Sequence, residues 1–383
     1  MVAEGTWRPA RVEVDLAAIR TNVERLRAAV APAAVCAVVK ANGYSHGAIL
    51  AAKAALEGGA AGLAVALVDE GVELRGAGIT APILILSEPV PEAFEVCFAE
   101  ALTPTVATAE GVAAAERAAE AIGGRQPVHL KVNTGMHRVG VSVEEAPALA
   151  ARLARHPVLV FEGCYTHFAV ADGASAEDRA FTALQLERFE ASLSAMAALG
   201  VAPVLRHAAN TAGALAHPAA RYDLVRCGIG VYGVQPTEFV AQRYEATGLP
   251  PLIPALHLTA QVTAVHHLAA GERPSYGRLR PLPEAATVAT VPLGYADGLP
   301  RAMLRAGVEV LIGGKRRPLA GMVTMDQLVV DCGGAEVAVG DDVVLLGTQG
   351  AESIDVYEWA SKLDTIPYEV LCALGARIPR RAR

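Results

Sequence analysis

Short apolar runs recur through the first 245 residues, separated by alanine-rich stretches whose charges fall at helical spacing. The runs at 34–39, 62–66, 83–86, 102–106, 128–132, 161–166, 204–207 and 222–225 are predicted strands. Runs that are apolar throughout, rather than alternating, belong to parallel strands covered on their outer face. Eight of them alternating with helices predict a (β/α)8 barrel over residues 11–245. After 245 the texture changes. The runs at 258–268, 287–292, 308–312, 327–331 and 342–346 are divided by Gly-Gly, Gly-Lys-Arg-Arg-Pro and Gly-Asp-Asp, with almost no helical period. That pattern predicts a mainly β domain over 246–383. A strand at 10–16 precedes the first barrel strand by a full helix, so residues 1–10 and this strand are expected to pack with the C-terminal domain.

The chain of 383 residues is 53% hydrophobic and 19% charged, with a net charge of −7. It lacks a basic tract, so nucleic acid is not an expected partner. No stretch approaches the roughly 18 apolar residues that span a bilayer, and the first residues lack the basic start and apolar core of a signal peptide. The six cysteines are scattered without metal-ligand spacing, and Cys36, Cys164 and Cys227 lie inside apolar runs. A cytoplasmic, reduced, metal-free protein is expected.

Reactive side chains fall where the strands end. Lys40 follows the first barrel strand, Arg138 lies past the fifth, His167 caps the sixth, Asn210 and Thr211 follow the seventh, and Arg226 closes the eighth. Barrel enzymes carry their chemistry on that C-terminal rim. Only five lysines stand against 28 arginines, so Lys40 is not ordinary surface filler. Lysine, unlike arginine, loses its proton when desolvated and forms a Schiff base with an aldehyde. The loops 207–213 (His-Ala-Ala-Asn-Thr-Ala-Gly) and 227–230 (Cys-Gly-Ile-Gly) occupy the positions where barrels hold phosphate. An aldehyde-binding lysine, a phosphate cup and an adjacent arginine suit pyridoxal phosphate. Strand alternation puts His129 and Lys131 on one face, the interior if the strand is a barrel strand.

The motifs Val39-Lys40-Ala-Asn-Gly-Tyr44-Ser-His-Gly, Lys131-Val-Asn-Thr-Gly-Met-His-Arg138-Val-Gly, Thr166-His167-Phe-Ala, His207-Ala-Ala-Asn210-Thr211, Val225-Arg226-Cys-Gly228-Ile229-Gly, Ser275-Tyr276-Gly, Gly294-Tyr295-Ala-Asp-Gly, Met325-Asp-Gln and Thr365-Ile-Pro-Tyr368-Glu are specific and run nearly end to end. Together they resemble the alanine racemase family of barrel-fold enzymes.

The resemblance implies pyridoxal 5'-phosphate on Lys40, with its phosphate held by Tyr44, Thr211, Gly228, Ile229 and Tyr368. It implies Arg226 facing the pyridine nitrogen, with His167 and Asn210 beside the cofactor. Arg138 and Met325, with Tyr295, would place an alanine carboxylate. Lys40 and Tyr276 would be the two bases, Tyr276 coming from the second subunit of a head-to-tail homodimer, and Lys131 would match a lysine that carries a carbamate. Asn133, His137, Thr324 and Gly43 depart from the family's usual residues. The implied activity is interconversion of L- and D-alanine, supplying peptidoglycan. The alternatives are a racemase that also accepts serine and a non-catalytic cofactor-binding barrel. The second has no use for Tyr276, Tyr295 and Met325, and nothing in the chain resembles the cysteine–acid pair of a barrel decarboxylase.

Overall fold

The structure, a computed structural model, describes residues 7–383; residues 1–6 lie outside it. Two compact units are formed by the described residues, one by Ala17–Gly43 and Ala48–Pro254, the other by residues 7–16, Tyr44–Gly47 and Ala255–Arg383.

The first unit is the expected barrel. Its strands are β2 (Ala34–Val38), β3 (Gly62–Val65), β4 (Ile83–Ile85), β5 (Thr103–Val106), β6 (Gln126–Lys131), β7 (Leu159–Tyr165), β8 (Leu205–His207) and β9 (Leu224–Cys227). All pair in parallel, from β8 stepwise back to β2 and on to β9. Backbone bonds from Asp223 N to Arg206 O (3.1 Å) and from Arg226 N to Ala209 O (2.9 Å) draw β9 against β8 and nearly close the ring. The outer helices are cut to the barrel by small residues. Ala48–Glu57 buries Ala48, Ala51, Ala52, Ala54 and Ala55, a face repeating at three and four residues. Ala176–Ala198 begins with a capping box, Ser175 accepting from Asp178 N while the Asp178 side chain accepts from Ser175 N. Between the helices and the strands sit larger side chains such as Ile19, Leu26, Phe94 and Phe189, fully buried and each contributing ~1.5–3 kcal/mol relative to exposure.

The second unit is mainly β. One sheet runs β14 (Lys315–Pro318), β13 (Glu309–Ile312), β16 (Asp342–Gln349), β10 (Leu256–Gln261), β1 (Ala10–Val14) and β18 (Arg380–Ala382), with β17 (Glu352–Ile354) paired to β16. A three-stranded sheet joins β11 (Ala264–Leu268), β12 (Ala286–Val291) and β15 (Leu328–Asp331). The strand at 10–14 pairs antiparallel with β10 and parallel with β18, so a single cut at 245 does not separate the units. Three elements differ from the sequence pattern. The charged run Lys315–Pro318, which reads as a turn, is a strand against β13, because its partner satisfies its backbone. The segments Val356–Lys362 and Pro367–Cys372 are helices, started by Asp355 accepting from Glu358 N and by Pro367 in the first turn.

Candidate active site

Lys40 stands at the head of an unusual turn. Ala41, Asn42, Gly43, Tyr44 and Ser45 all have positive φ, between 52° and 65°. Only one is glycine, and left-handed backbone costs other residues about 1–2 kcal/mol each. Side chains hold the turn. Glu70 accepts from Ala41 N at 2.6 Å and from Ala66 N at 2.8 Å, and Asn42 Oδ1 accepts from Ala48 N at 2.9 Å. Strain of this kind persists only where surroundings over-determine it, and it collects at functional sites. The composition of the loop showed two glycines; it gave no sign of Glu70.

Across the barrel mouth, Arg226 is 3% exposed. Its Nη1 donates to His207 Nδ1 (2.7 Å), and its Nη2 donates to Thr166 O (2.8 Å), Ala208 O (3.0 Å) and His167 Nδ1 (3.3 Å). Tyr165 lies beneath as a platform, 4.9 Å from the Arg226 guanidinium and 5.4 Å from Lys131 Nζ. Its hydroxyl donates to Leu86 O and meets Thr105 Oγ1, both at 2.9 Å, and burial pushes its pKa up to about 12. Both Lys131 and His129 are buried, as alternation from a barrel interior requires.

The field at this mouth is cationic. Burial first, and then the charges of Arg226, Arg138 and Lys40, push the Lys131 ammonium down to about 8. Withdrawal from water and then Arg226, Lys131, Arg138 and Lys40 hold His167 well below its ordinary value. Four basic side chains gathered around one half-buried histidine are balanced only by anions. A phosphate, a phenolic oxygen and a substrate carboxylate supply them, so the residues fit pyridoxal phosphate. Arg226 Nε makes no hydrogen bond among the described residues, which leaves an N–H for such a ligand.

The two phosphate loops also meet. Asn210 caps the helix Thr211–Ala216 by accepting from Gly213 N at 2.9 Å. Thr211 Oγ1 accepts from Gly228 N (3.0 Å) and Gly230 N (3.4 Å). A Cβ on Gly230 would stand 2.8 Å from Thr211 Cγ2, so the loop of Gly228 and Ile229 is cut to receive this hydroxyl. Arg138 is carried by a loop pinched shut by Asn133 N to Val141 O (2.7 Å) and Val141 N to Lys131 O (2.9 Å). Asn133 Oδ1 turns that loop by accepting from Gly135 N and His137 N. His137, with φ 53°, is one of the departures from the family pattern, and Asn133 Nδ2 bonds its ring at 3.1 Å.

The β unit carries the remaining candidates. Tyr44 and Tyr368 have ring centroids 6.2 Å apart. Tyr295 and Met325 sit on adjoining turns, joined by Tyr295 N to Thr324 O (2.9 Å) and Ala296 N to Met325 O (3.0 Å). Gly294 permits that approach, since a Cβ there would lie 2.3 Å from Thr324 O. Tyr276 is 73% exposed on the short turn Tyr276–Arg278. Ser275 before it has φ 68° and ψ −178°, backbone otherwise nearly restricted to glycine, and donates to Met322 O at 2.6 Å. Among the described residues no group of metal-ligating side chains occurs, and no helix is long and apolar enough to cross a membrane. The buried Cys36 and Cys227 have thiols pushed up to about 12 by desolvation, as inert core side chains do.

Comparison with known proteins agrees with this geometry. The chain matches the family models "Alanine racemase, N-terminal domain" over residues 14–236 and "Alanine racemase, C-terminal domain" over 255–382. An alanine racemase of Symbiobacterium thermophilum is 45% identical, covering 97% of each chain. The crystal structure of alanine racemase from E. faecalis superposes with a TM-score of 0.89 at 39% identity, covering all of both chains. A histidine racemase from Leuconostoc mesenteroides superposes with a TM-score of 0.88 at 28% identity over 99% of each. The chain belongs to the alanine racemase family of pyridoxal 5'-phosphate-dependent isomerases.

Proposed function

We propose that this enzyme interconverts L-alanine and D-alanine with two bases, Lys40 on one face of the substrate and Tyr276 of a partner subunit on the other. The observation that carries this reading is the cationic barrel mouth, in which Lys40, Lys131, Arg138 and Arg226 all act on His167. The bound cofactor supplies a carbonyl for the amino group and a ring that withdraws electrons from the α-carbon. Lys40 Nζ would hold the cofactor through that carbonyl and would take or return the α-proton on the D side. The Tyr276 hydroxyl does the same on the L side. Arg138 orients the carboxylate, with the Met325 backbone and Tyr295 completing its seat. Thr211, the loop of Gly228 and Ile229, Tyr44 and Tyr368 would hold the phosphate, with Asn210 beside the cofactor.

Arg226 offers the ring nitrogen a hydrogen bond without surrendering its proton. A donor that keeps its proton would leave the ring a weaker electron sink and so would restrain side reactions. Lys131, with its pKa near 8, is partly unprotonated near neutral pH. That amine adds carbon dioxide to give a carbamate and a proton, placing an anion between Arg138 and Arg226.

Tyr276 standing 73% exposed on a strained turn supports a homodimer in which each subunit completes the other's site. The expected setting is the cytoplasm, where D-alanine feeds peptidoglycan. A wider substrate range is the second reading, favoured by the likeness to a histidine racemase.

The test is D-alanine formation from L-alanine by purified protein with pyridoxal phosphate, run beside serine and histidine. Approach to an equal mixture of alanine enantiomers is expected, and Lys40→Ala should abolish both activity and the visible band of covalently held cofactor. Faster turnover of serine or histidine would favour the second reading. No product from any amino acid would refute both.

A further inference from the structure

A line of hydrogen bonds leaves the active site through the barrel interior. Arg226 Nη1 reaches His207 Nδ1 at 2.7 Å, His207 Nε2 reaches His129 Nδ1 at 2.9 Å, and His129 Nε2 reaches Glu162 Oε2 at 3.1 Å. Glu162 is the outer end, its side chain 36% exposed, while that of His129 is 4% exposed.

The direction of this line is fixed at its inner end. A guanidinium only donates, so His207 Nδ1 accepts and its proton is on Nε2. His129 Nδ1 must then accept, its proton is on Nε2, and Glu162 receives it. Each ring is neutral in this arrangement, in keeping with the burial and the Arg226 charge that hold His207 well below its ordinary pKa. Because arginine keeps its proton, the line carries no protons outward. What it carries is orientation and the field of a carboxylate.

The barrel is shaped around it. Gly163 pairs directly with His129 in the sheet, and a Cβ there would stand 2.4 Å from the His129 ring. Tyr165 stacks on His207 with centroids 4.6 Å apart and planes 9° from parallel, which keeps the imidazole from turning over.

We propose that Glu162 and His129, with Gly163 making room, are positioning residues that act through His207 to fix the Arg226 guanidinium as a donor toward the cofactor ring. The inference rests on the reading that Arg226 faces that ring.

Two measurements separate the two ideas. Neutron diffraction of the holoenzyme is expected to show the His207 and His129 protons on Nε2; a proton on His207 Nδ1 would overturn the chain whatever Arg226 faces. In the second, Glu162→Leu and Gly163→Ala holoenzymes are compared by visible absorption and by cofactor dissociation. A shifted absorption maximum, a roughly tenfold weaker cofactor and a lower kcat at nearly unchanged KM are expected in both, from the loss or displacement of one charge-assisted contact. Glu162→Gln, whose amide oxygen still accepts from His129, should restore most of the loss. Variants that only melt earlier, with spectrum and affinity of the wild type, would reduce these residues to structural ones and overturn the proposal. A holoenzyme with the predicted His207 tautomer whose neutron map shows Arg226 turned away from the ring nitrogen would instead refute the reading of Arg226.

Discussion

Arg8 grips Asp297 with both terminal nitrogens, at 2.6 and 2.5 Å, although the two residues lie 289 positions apart in the chain. The carboxylate is fully buried, accepts from Gly294 N at 2.9 Å and has Arg377 at 3.6 Å. Arg8 Nε also donates to Pro292 O at 2.6 Å, so the N-terminal segment pins the turn that presents Tyr295.

Removing Arg8 leaves that buried carboxylate under-compensated. Arg8→Met is expected to destabilise the protein by ~3 kcal/mol, the low end for breaking a buried pair, since Arg377 remains. The urea midpoint reads this, and KM for alanine should rise as the Tyr295 turn loosens. A midpoint within experimental error of the wild type would refute the pinning role.

Glu70 does for the lysine turn what Arg8 does for Tyr295. Glu70→Ala removes the acceptor of three backbone amides, Ala41, Ala66 and Leu67, and leaves the left-handed turn held by Asn42. Each lost bond to a charged acceptor is worth about 1.5–3 kcal/mol. We expect slower covalent loading of the cofactor on Lys40, followed as the growth of its visible band, with overall secondary structure retained by circular dichroism. Unchanged loading would show that the turn holds itself.

Lys131 makes a statement about pH. Its folded value, about 8, lies below its ordinary 10.5, so the unfolded chain binds this proton more tightly. The penalty for burying the cation is therefore full below about pH 8 and fades as pH rises from about 8 to 10.5. In cofactor-free protein, Lys131→Met should be more stable than the wild type at pH 7, with the advantage shrinking by pH 10. An advantage independent of pH over that window would contradict a buried cation at this position.

Tyr276 can be tested without touching the fold, because a surface hydroxyl contributes within about ±0.5 kcal/mol. Tyr276→Phe should slow α-proton exchange from L-alanine by ~100-fold or more, the scale of one positioned acid–base group, and that from D-alanine far less. Mixing Tyr276→Phe with Lys40→Ala under conditions of subunit exchange should recover about a quarter of wild-type activity, since half the dimers become hybrids with one intact site each. No recovery would mean that the two bases come from the same subunit.

The barrel was legible because its signal is local. Eight apolar strands alternating with alanine-faced helices leave little choice of architecture, and each observed strand falls within two residues of its apolar run. Lys40 and Thr211 were legible because they follow those strands, and Arg226 because it lies at the end of one. What escaped was set by distant partners. Ala41, Tyr44 and Ser45 carry no signature of positive φ; Glu70, on another helix, fixes the first of them through its amide. Alternation placed His129 in the interior, but its bonds to His207 and Glu162 depend on barrel register, which a linear pattern does not encode. Lys315–Pro318 looked like a turn because its charges hid an edge strand, a common guard against unwanted pairing.

The placement of β1 has a consequence for how the protein is made. Ala10 pairs with Ala260, roughly 250 residues later, and Val12 pairs with Arg380 near the other terminus. During synthesis β1 therefore waits, without these partners, until the whole barrel has been made. Its burial alternates, with Ala10, Val12 and Val14 inward and Arg11 and Glu13 joined at 2.7 Å on the other face. Those two charges lie on the strand while it waits and discourage it from pairing with a neighbouring nascent chain. The sheet that β1 belongs to is therefore completed only once β18 has been made.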